Sequence, residues 1–196
     1  MLGGPSGAQG VTIAPMQSDD DVMVQVEIPA GSRNKYEMDE ESGRIMLDRM
    51  LFTAMRYPAD YGYIEGTLAE DGDPLDALVL LGEPTFPGCW IRARPVAVFH
   101  MSDEKGHDEK VILVPLKDPQ WSGIEDITDV NPNLLNEIEH FFTVYKDLEP
   151  GETEVRGWGD RAEALVLCRI DTLDELDYYR NGGIMPYVLR NLAKAG

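Results

Sequence analysis

"VAVFHMSDEKGHDEKVILVPL" (residues 96–116) sets two apolar runs around a polar centre, with Gly106 at the bend. It reads as a long-looped β-hairpin, because β-branched and aromatic residues lie on both sides and turn chemistry lies between them. The loop also gathers charge: Asp103 and Asp108 flank the bend and Lys110 ends it. Upstream, "DALVLL" (76–81) and "WIRARPVAVFHM" (90–101) read as strands separated by Pro84, Pro87 and Gly88. "VMVQVEI" (22–28) alternates, with Val22, Val24, Val26 and Ile28 on one side and Glu27 on the other. "GRIMLDRML" (43–51) is another candidate strand. Short strands with frequent Gly and Pro punctuation argue for a barrel or sandwich rather than a βαβ series.

Helices come late in the chain. In "NPNLLNEIEHFFTVYKDLEPG" (131–151), Asn131 can cap, Pro132 suits the first helical position and Pro150-Gly151 ends the pattern. Leu134, Leu135, Ile138, Phe141, Phe142 and Tyr145 share one helical face. A second helix is expected from Asp160, with Glu163 as capping partner and Leu165, Cys168, Leu176 and Tyr179 on its buried side. Residues 1–21 read as a flexible leader, 22–180 as one domain and 181–196 as a short helix or appendage.

Composition narrows the partners. A chain of 196 residues, 43% hydrophobic and 27% charged, fits an ordinary globular domain, whereas a formal charge of −19 does not fit nucleic-acid binding. Such binding needs a basic face that displaces counterions. The same charge disfavours anionic membranes, and no apolar run approaches the roughly 20 residues of a membrane span. The first basic residue is Arg33, so no signal peptide is legible and a cytoplasmic protein is expected. Cys89 and Cys168 are too few for a disulfide framework and read as reduced packing residues.

The acids raise the functional question. "DGDPLD" (71–76) places Asp71, Asp73 and Asp76 immediately before an apolar run. A helix–loop–helix calcium loop counted from Asp71 would put Leu75, Asp76 and Gly82 at the fifth, sixth and twelfth positions, which is the wrong chemistry at each. Alone, the stretch is an acidic turn. Together with Asp103 and Asp108 it is more, since neighbouring strands would bring five carboxylates to one mouth. Mutual repulsion there would be relieved by divalent cations, and all-oxygen ligands suit Mg²⁺ or Mn²⁺. Only 17 residues are Lys or Arg, so Lys35, Arg49, Lys110 and Lys146 are informative candidates for phosphate, with the Tyr57, Tyr61 and Tyr63 phenols as possible donors or core rings.

These residues fall into blocks that resemble family I soluble inorganic pyrophosphatases, in that family's order. The blocks are residues 26–49, "VEIPAGSRNKYEMDEESGRIMLDR", and 57–80, "YPADYGYIEGTLAEDGDPLDALVL". Residues 87–115, "PGCWIRARPVAVFHMSDEKGHDEKVILVP", and 140–151, "HFFTVYKDLEPG", complete the set. The resemblance runs from about Val24 to about Trp158 and is to the bacterial, actinobacterial-like type. It implies an α+β, mainly β fold: a small closed OB-like β-barrel flanked by two or three helices. It implies a Mg²⁺-dependent diphosphatase that splits pyrophosphate into two orthophosphates by a metal-activated water, with Asp73 as general base. Asp71, Asp76, Asp103, Asp108 and Glu37 would hold three or four Mg²⁺ ions, for which Mn²⁺ is a possible substitute. Lys35, Arg49, Tyr61, Lys110, Tyr145 and Lys146 would bind substrate, and Glu27, Tyr57 and Glu104 would support them. Roughly seven inner carboxylates against four basic groups leave a negative balance, so such a site needs metal before it can accept an anion. A homo-oligomer, by likeness a hexamer, is also implied. His100, His107 and His140 receive no role. The alternatives are a metal- or phosphate-binding module without turnover, and a hydrolase of organic phosphoanhydrides; no Gly-rich nucleotide loop favours the latter.

Overall fold

A computed structural model describes residues 20–39, 41–103, 106–151 and 153–170, with 175, 179, 182 and 183. Most of the leader and the C-terminal segment, with Leu176, lie outside the described residues. In chain order the strands are β1 (Val22–Ile28), β2 (Asn34–Asp39), β3 (Arg44–Met50), β4 (Asp60–Ile64), β5 (Asp76–Val79), β6 (Trp90–Asp103) and β7 (Gly106–Pro115). A short 3-10 turn (Ile127–Asp129), α1 (Pro132–Val144), β8 (Glu154–Gly159) and α2 (Arg161–Leu167) follow.

Five strands close on themselves. β1 pairs with β4, β4 with β5, β5 with β7, β7 with β6, and β6 returns to β1. All pairings are antiparallel except β5 with β7, which run parallel. The 14-residue β6 makes closure possible by serving two partners. Its first part, Trp90–Ala93, meets β1, and its later part, Val98–Ser102, carries β8. Between them the β6–β7 register slips at Pro95/Ala97, where proline has no N–H to give the ladder. The hairpin read from residues 96–116 is therefore present, and it is one wall of a closed ring. β2 and β3 form a separate two-stranded ribbon.

Alternate residues along the strands feed two apolar clusters, as a period of two demands. Leu78, Phe99, Met101 and Ile112 pack with α1, while Val79, Val98, Val111 and Leu113 pack with α2. β4 and β1 approach so closely that a Cβ on Gly62 would lie 1.8 Å from the Gln25 carbonyl oxygen.

The helices start where expected and differ in their ends and faces. The Asn131 side chain accepts from the Asn133 N–H at 2.9 Å, and Asp160 does the same for Glu163 at 3.0 Å. α1 buries Ile138, Phe141 and Phe142, with Tyr145 as its last cap residue, whereas Leu134 and Leu135 are only partly buried. It stops at Val144 rather than at Pro150, because tight turns from Val144 to Asp147 and from Lys146 to Glu149 break the helical ladder. On α2 the buried pair is Ala164 and Leu167; of the expected residues, Cys168 and Tyr179 pack partly buried against the same cluster, while Leu165 is only half-buried. β8 and the short β4 lack a clear alternating signal; β8 is fixed by tertiary contacts, with Trp158 on the Phe99 ring and its Nε1 donating to Glu139 at 2.8 Å. Both cysteines are free. Among the described residues no helix is long and apolar enough to cross a membrane.

Candidate active site

The parallel pairing of β5 with β7 sets Asp76 directly opposite Lys110. Lys110 is 2% exposed, and its Nζ donates to Asp76 Oδ2 and to Asp108 Oδ1 at 2.6 Å each. The Tyr61 hydroxyl, supplied by β4, donates to the same Asp76 oxygen. The Lys110 ammonium also lies 5.2 Å from the centre of the Phe142 ring and 5.5 Å from that of Tyr61. Burial alone would lower the lysine pKa, but the two carboxylates outweigh it and the net shift is upward. Burial raises the Asp108 carboxyl, Lys110 opposes that, and the nearby Asp76 adds to it.

Backbone bonds shape the loop before β5. Ala69 N–H donates to the Asp73 carbonyl at 2.7 Å, and Gly72 takes a φ of 94° that suits glycine. Beneath it the buried Thr67 hydroxyl donates to the Ile64 carbonyl and accepts from Leu75 N–H. The loop is thereby anchored from below, with the acids of Asp71, Asp73 and Asp76 on the cleft side. A cross-loop tie joins it to the hairpin, where Glu70 Oε2 accepts from His107 N–H at 3.2 Å.

The ribbon supplies the opposite wall. Lys35 and Arg49 are cross-strand partners on β2 and β3. Lys35 pairs with Glu37 and, at 3.6 Å, with Asp48. Arg49 pairs with Asp48 and with Glu149. Glu27 ties β1 to the ribbon by accepting from Met38 N–H at 2.6 Å, and its burial raises the carboxyl pKa to about 7 despite that bond. The turn after α1 sends Lys146 to Asp103 at 3.3 Å.

The aspartates of the loop and hairpin, the ribbon's Lys35, Glu37 and Arg49, and Lys110 and Lys146 face one cleft of about 650 Å³. Every candidate residue lines it except two. Tyr57 is buried behind it, 4.9 Å from Phe141 and 5.4 Å from Tyr61 between ring centres. Glu104 lies outside the described residues. Asp48, Tyr36 and Tyr63 also line the cleft, and Glu149 braces Arg49. The sequence reading had offered Tyr63 as a donor or core ring but missed Asp48, Tyr36 and Glu149, although the charged neighbours Asp48-Arg49 offered a signal for the first. His107 lines the cleft too, and its Nδ1 lies 3.2 Å from Arg156.

The donor set fits hard divalent cations: it is all carboxylate oxygen, and two of its members already share one cation, Lys110. Among the described residues, no three His, Cys, Asp or Glu side chains close on one cation-sized point. The nearby Lys35, Arg49, Lys110 and Lys146 give the cleft anion-binding capacity as well.

Comparison with known proteins points the same way. The family model described as inorganic pyrophosphatase matches residues 24–170. The chain is 61% identical to the inorganic pyrophosphatase of Leifsonia xyli subsp. xyli over 142 residues, 72% of this chain and 87% of that one. It is 58% identical to the one from Streptomyces coelicolor over 142 residues, with the same shares. Among solved structures, the Thermus thermophilus inorganic pyrophosphatase superposes with a TM-score of 0.78 at 44% identity, covering 84% of this chain and 97% of that one. The Helicobacter pylori enzyme gives 0.75 at 42% identity, over 80% and 94%.

Proposed function

The chain belongs to the inorganic pyrophosphatase family, and from that premise we propose that it hydrolyses pyrophosphate to two orthophosphates in a Mg²⁺-dependent reaction. The observation that carries this reading is the sharing of one cleft by six aspartates and four basic side chains drawn from distant parts of the chain.

Asp71, Asp76, Asp103, Asp108 and Glu37 would hold the ions, three or four Mg²⁺ or in their place Mn²⁺. Bound divalent ions supply neutralisation of the diphosphate oxygens and a lowered pKa for the attacking water. The chain's own groups do the rest. Lys35, Arg49, Lys110 and Lys146 receive the two phosphoryl groups, and the Tyr61 and Tyr145 hydroxyls orient them by hydrogen bonds. Their charge is pre-organised by ion pairs, so little reorganisation is needed when the anion arrives. Asp73 accepts the proton of the attacking water. It suits that role because its loop is held by backbone bonds, through Ala69 N–H and the Asp71 side chain. Glu27 and Glu104 support the ion ligands, and Tyr57 backs Tyr61.

A cytoplasmic location and a homo-oligomer, by family likeness a hexamer, belong to the same proposal. The direct test is phosphate release from pyrophosphate, with ATP as the comparison substrate, with and without Mg²⁺. The proposal requires Mg²⁺-dependent release from pyrophosphate in preference to ATP. Folded protein that binds Mg²⁺ without turnover would instead be a binding module.

A further inference from the structure

We infer that Glu149, in the turn after α1, is a positioning residue that presents the Arg49 guanidinium to substrate phosphate. The inference rests on the proposed role of Arg49 as a phosphate ligand. A single oxygen, Glu149 Oε2, accepts from Arg49 Nε at 2.9 Å and lies 2.7 Å from Arg49 Nη2. Both contacts occupy the same side edge of the planar guanidinium, so together they fix its plane and direction. The Nη1 end, which pairs with Asp48, is left as the end offered to the cleft.

Burial separates the two acids around Arg49. The Glu149 side chain is 8% exposed, while that of Asp48 is 32% exposed. Among the described residues Glu149 Oε1 is buried without a hydrogen-bond partner, so Arg49 is what compensates this carboxylate. Releasing Arg49 from Glu149 would strand a buried charge, whereas releasing it from Asp48 returns a carboxylate to water. An arriving phosphate therefore displaces Asp48 and leaves the Glu149 brace in place. Glu149 reaches Arg49 across 100 residues of sequence. It can do so because α1 ends early and the Lys146–Glu149 turn, closed at 2.8 Å, follows directly, with Lys146 lining the cleft and Glu149 behind it on Arg49.

The experiment is steady-state pyrophosphate hydrolysis with saturating Mg²⁺, for wild type, Glu149→Ala, Glu149→Met and Glu149→Gln. Calorimetric binding of imidodiphosphate, a non-hydrolysable analogue, gives a second readout. Without an acceptor at 149, KM rises about tenfold with kcat within about threefold, because a ground-state contact weakens while the reacting groups stay in place. Imidodiphosphate affinity falls in parallel. Glu149→Met fills the same space, so it carries the test should Glu149→Ala fail to fold. Glu149→Gln keeps an accepting oxygen and stays within about threefold of wild type in KM. In an Arg49→Ala background, Glu149→Met changes KM no further, since the residue acts through Arg49. An unchanged KM, a lowered KM (Glu149 competing with substrate for Arg49), or an effect additive with Arg49→Ala overturns the inference. Wild-type protein inactive on pyrophosphate overturns the proposed function and this inference with it; active wild type with an unmoved KM in Glu149→Met overturns this inference alone.

Discussion

Asp76 and Lys110 stand opposite one another on parallel strands, and the ammonium of one reaches the carboxylate of the other at 2.6 Å. That single register joins the loop bearing Asp71 and Asp73 to the hairpin bearing Asp103 and Asp108. Lys110 also meets Asp108, so one buried cation holds two acids that would otherwise repel.

Replacing Lys110 by Met removes that cation and leaves both carboxylates under-compensated. The cost is expected toward the low end of the about 3–5 kcal/mol for breaking a buried ion pair, because both acids keep some contact with water. In metal-free protein that is a fall in Tm of about 6–12 °C for a chain of this size. Saturating Mg²⁺ should narrow the gap, since it returns positive charge to the same acids. A gap that Mg²⁺ leaves unchanged would separate Lys110 from the ion-binding cluster.

Asp73→Asn tests the general base. The amide cannot take a proton, yet it preserves shape and the loop's backbone bonds. kcat should fall by about 10²–10⁴-fold, the usual worth of a positioned acid or base. Mg²⁺ affinity, measured by calorimetry, should stay within a few-fold of wild type. If the metal affinity collapses along with the rate, Asp73 is a ligand rather than the base.

What could be read from the chain depended on how local its cause was. The hairpin, the Asn131 and Asp160 caps and the acidic loop each rest on neighbouring residues, and each is present. The family pattern carried the site much further, since it named cleft residues on seven strands and on the turn after α1 before their convergence was visible. Missed features have distant causes. β8 exists because β6 is long enough to carry it, and the end of α1 is decided by the turns that bring Lys146 to Asp103 and Glu149 to Arg49. Glu149 received no reading from the sequence, and only the fold reveals its burial.

Glu27 makes a prediction about pH. Burial, opposed by the Met38 N–H bond, raises its carboxyl from 4.5 to about 7. A folded pKa above the unfolded one means that the folded state holds the proton more tightly. This contribution to stability is complete below about pH 4.5 and is lost as the pH rises through about 7. At about 1.4 kcal/mol per pKa unit the ionised group costs at most about 3–4 kcal/mol. Glu27→Gln is never ionised and can still accept from Met38 N–H. In metal-free protein at pH 8 the variant should therefore melt above wild type, and at pH 5 the advantage should shrink. Equal differences at both pH values would show that the Glu27 charge is not strained in the fold.

The last prediction concerns Gly62, which has no catalytic group and yet sits on β4 between the cleft residues Tyr61 and Tyr63. It pairs with Val26 on one side and Ala77 on the other, so its neighbours in sequence and register include Tyr61, Glu27 and Asp76. A Cβ there would lie 1.8 Å from the Gln25 carbonyl oxygen, a backbone atom that cannot swing aside as a flexible side chain can. Gly62→Ala must therefore push β1 away from β4 and open the ring next to Glu27 on one strand and Tyr61 on the other. The penalty should be at or above the upper end of the about 1–3 kcal/mol of an overpacked core. That lowers Tm by about 10 °C for a chain of this length. Gly123→Ala is the control: its Cβ would meet nothing within 4 Å, and its backbone has no positive φ. Thermal unfolding of the two variants side by side checks the argument, and a Gly62→Ala protein as stable as Gly123→Ala would mean that β1 and β4 are not packed as closely as described.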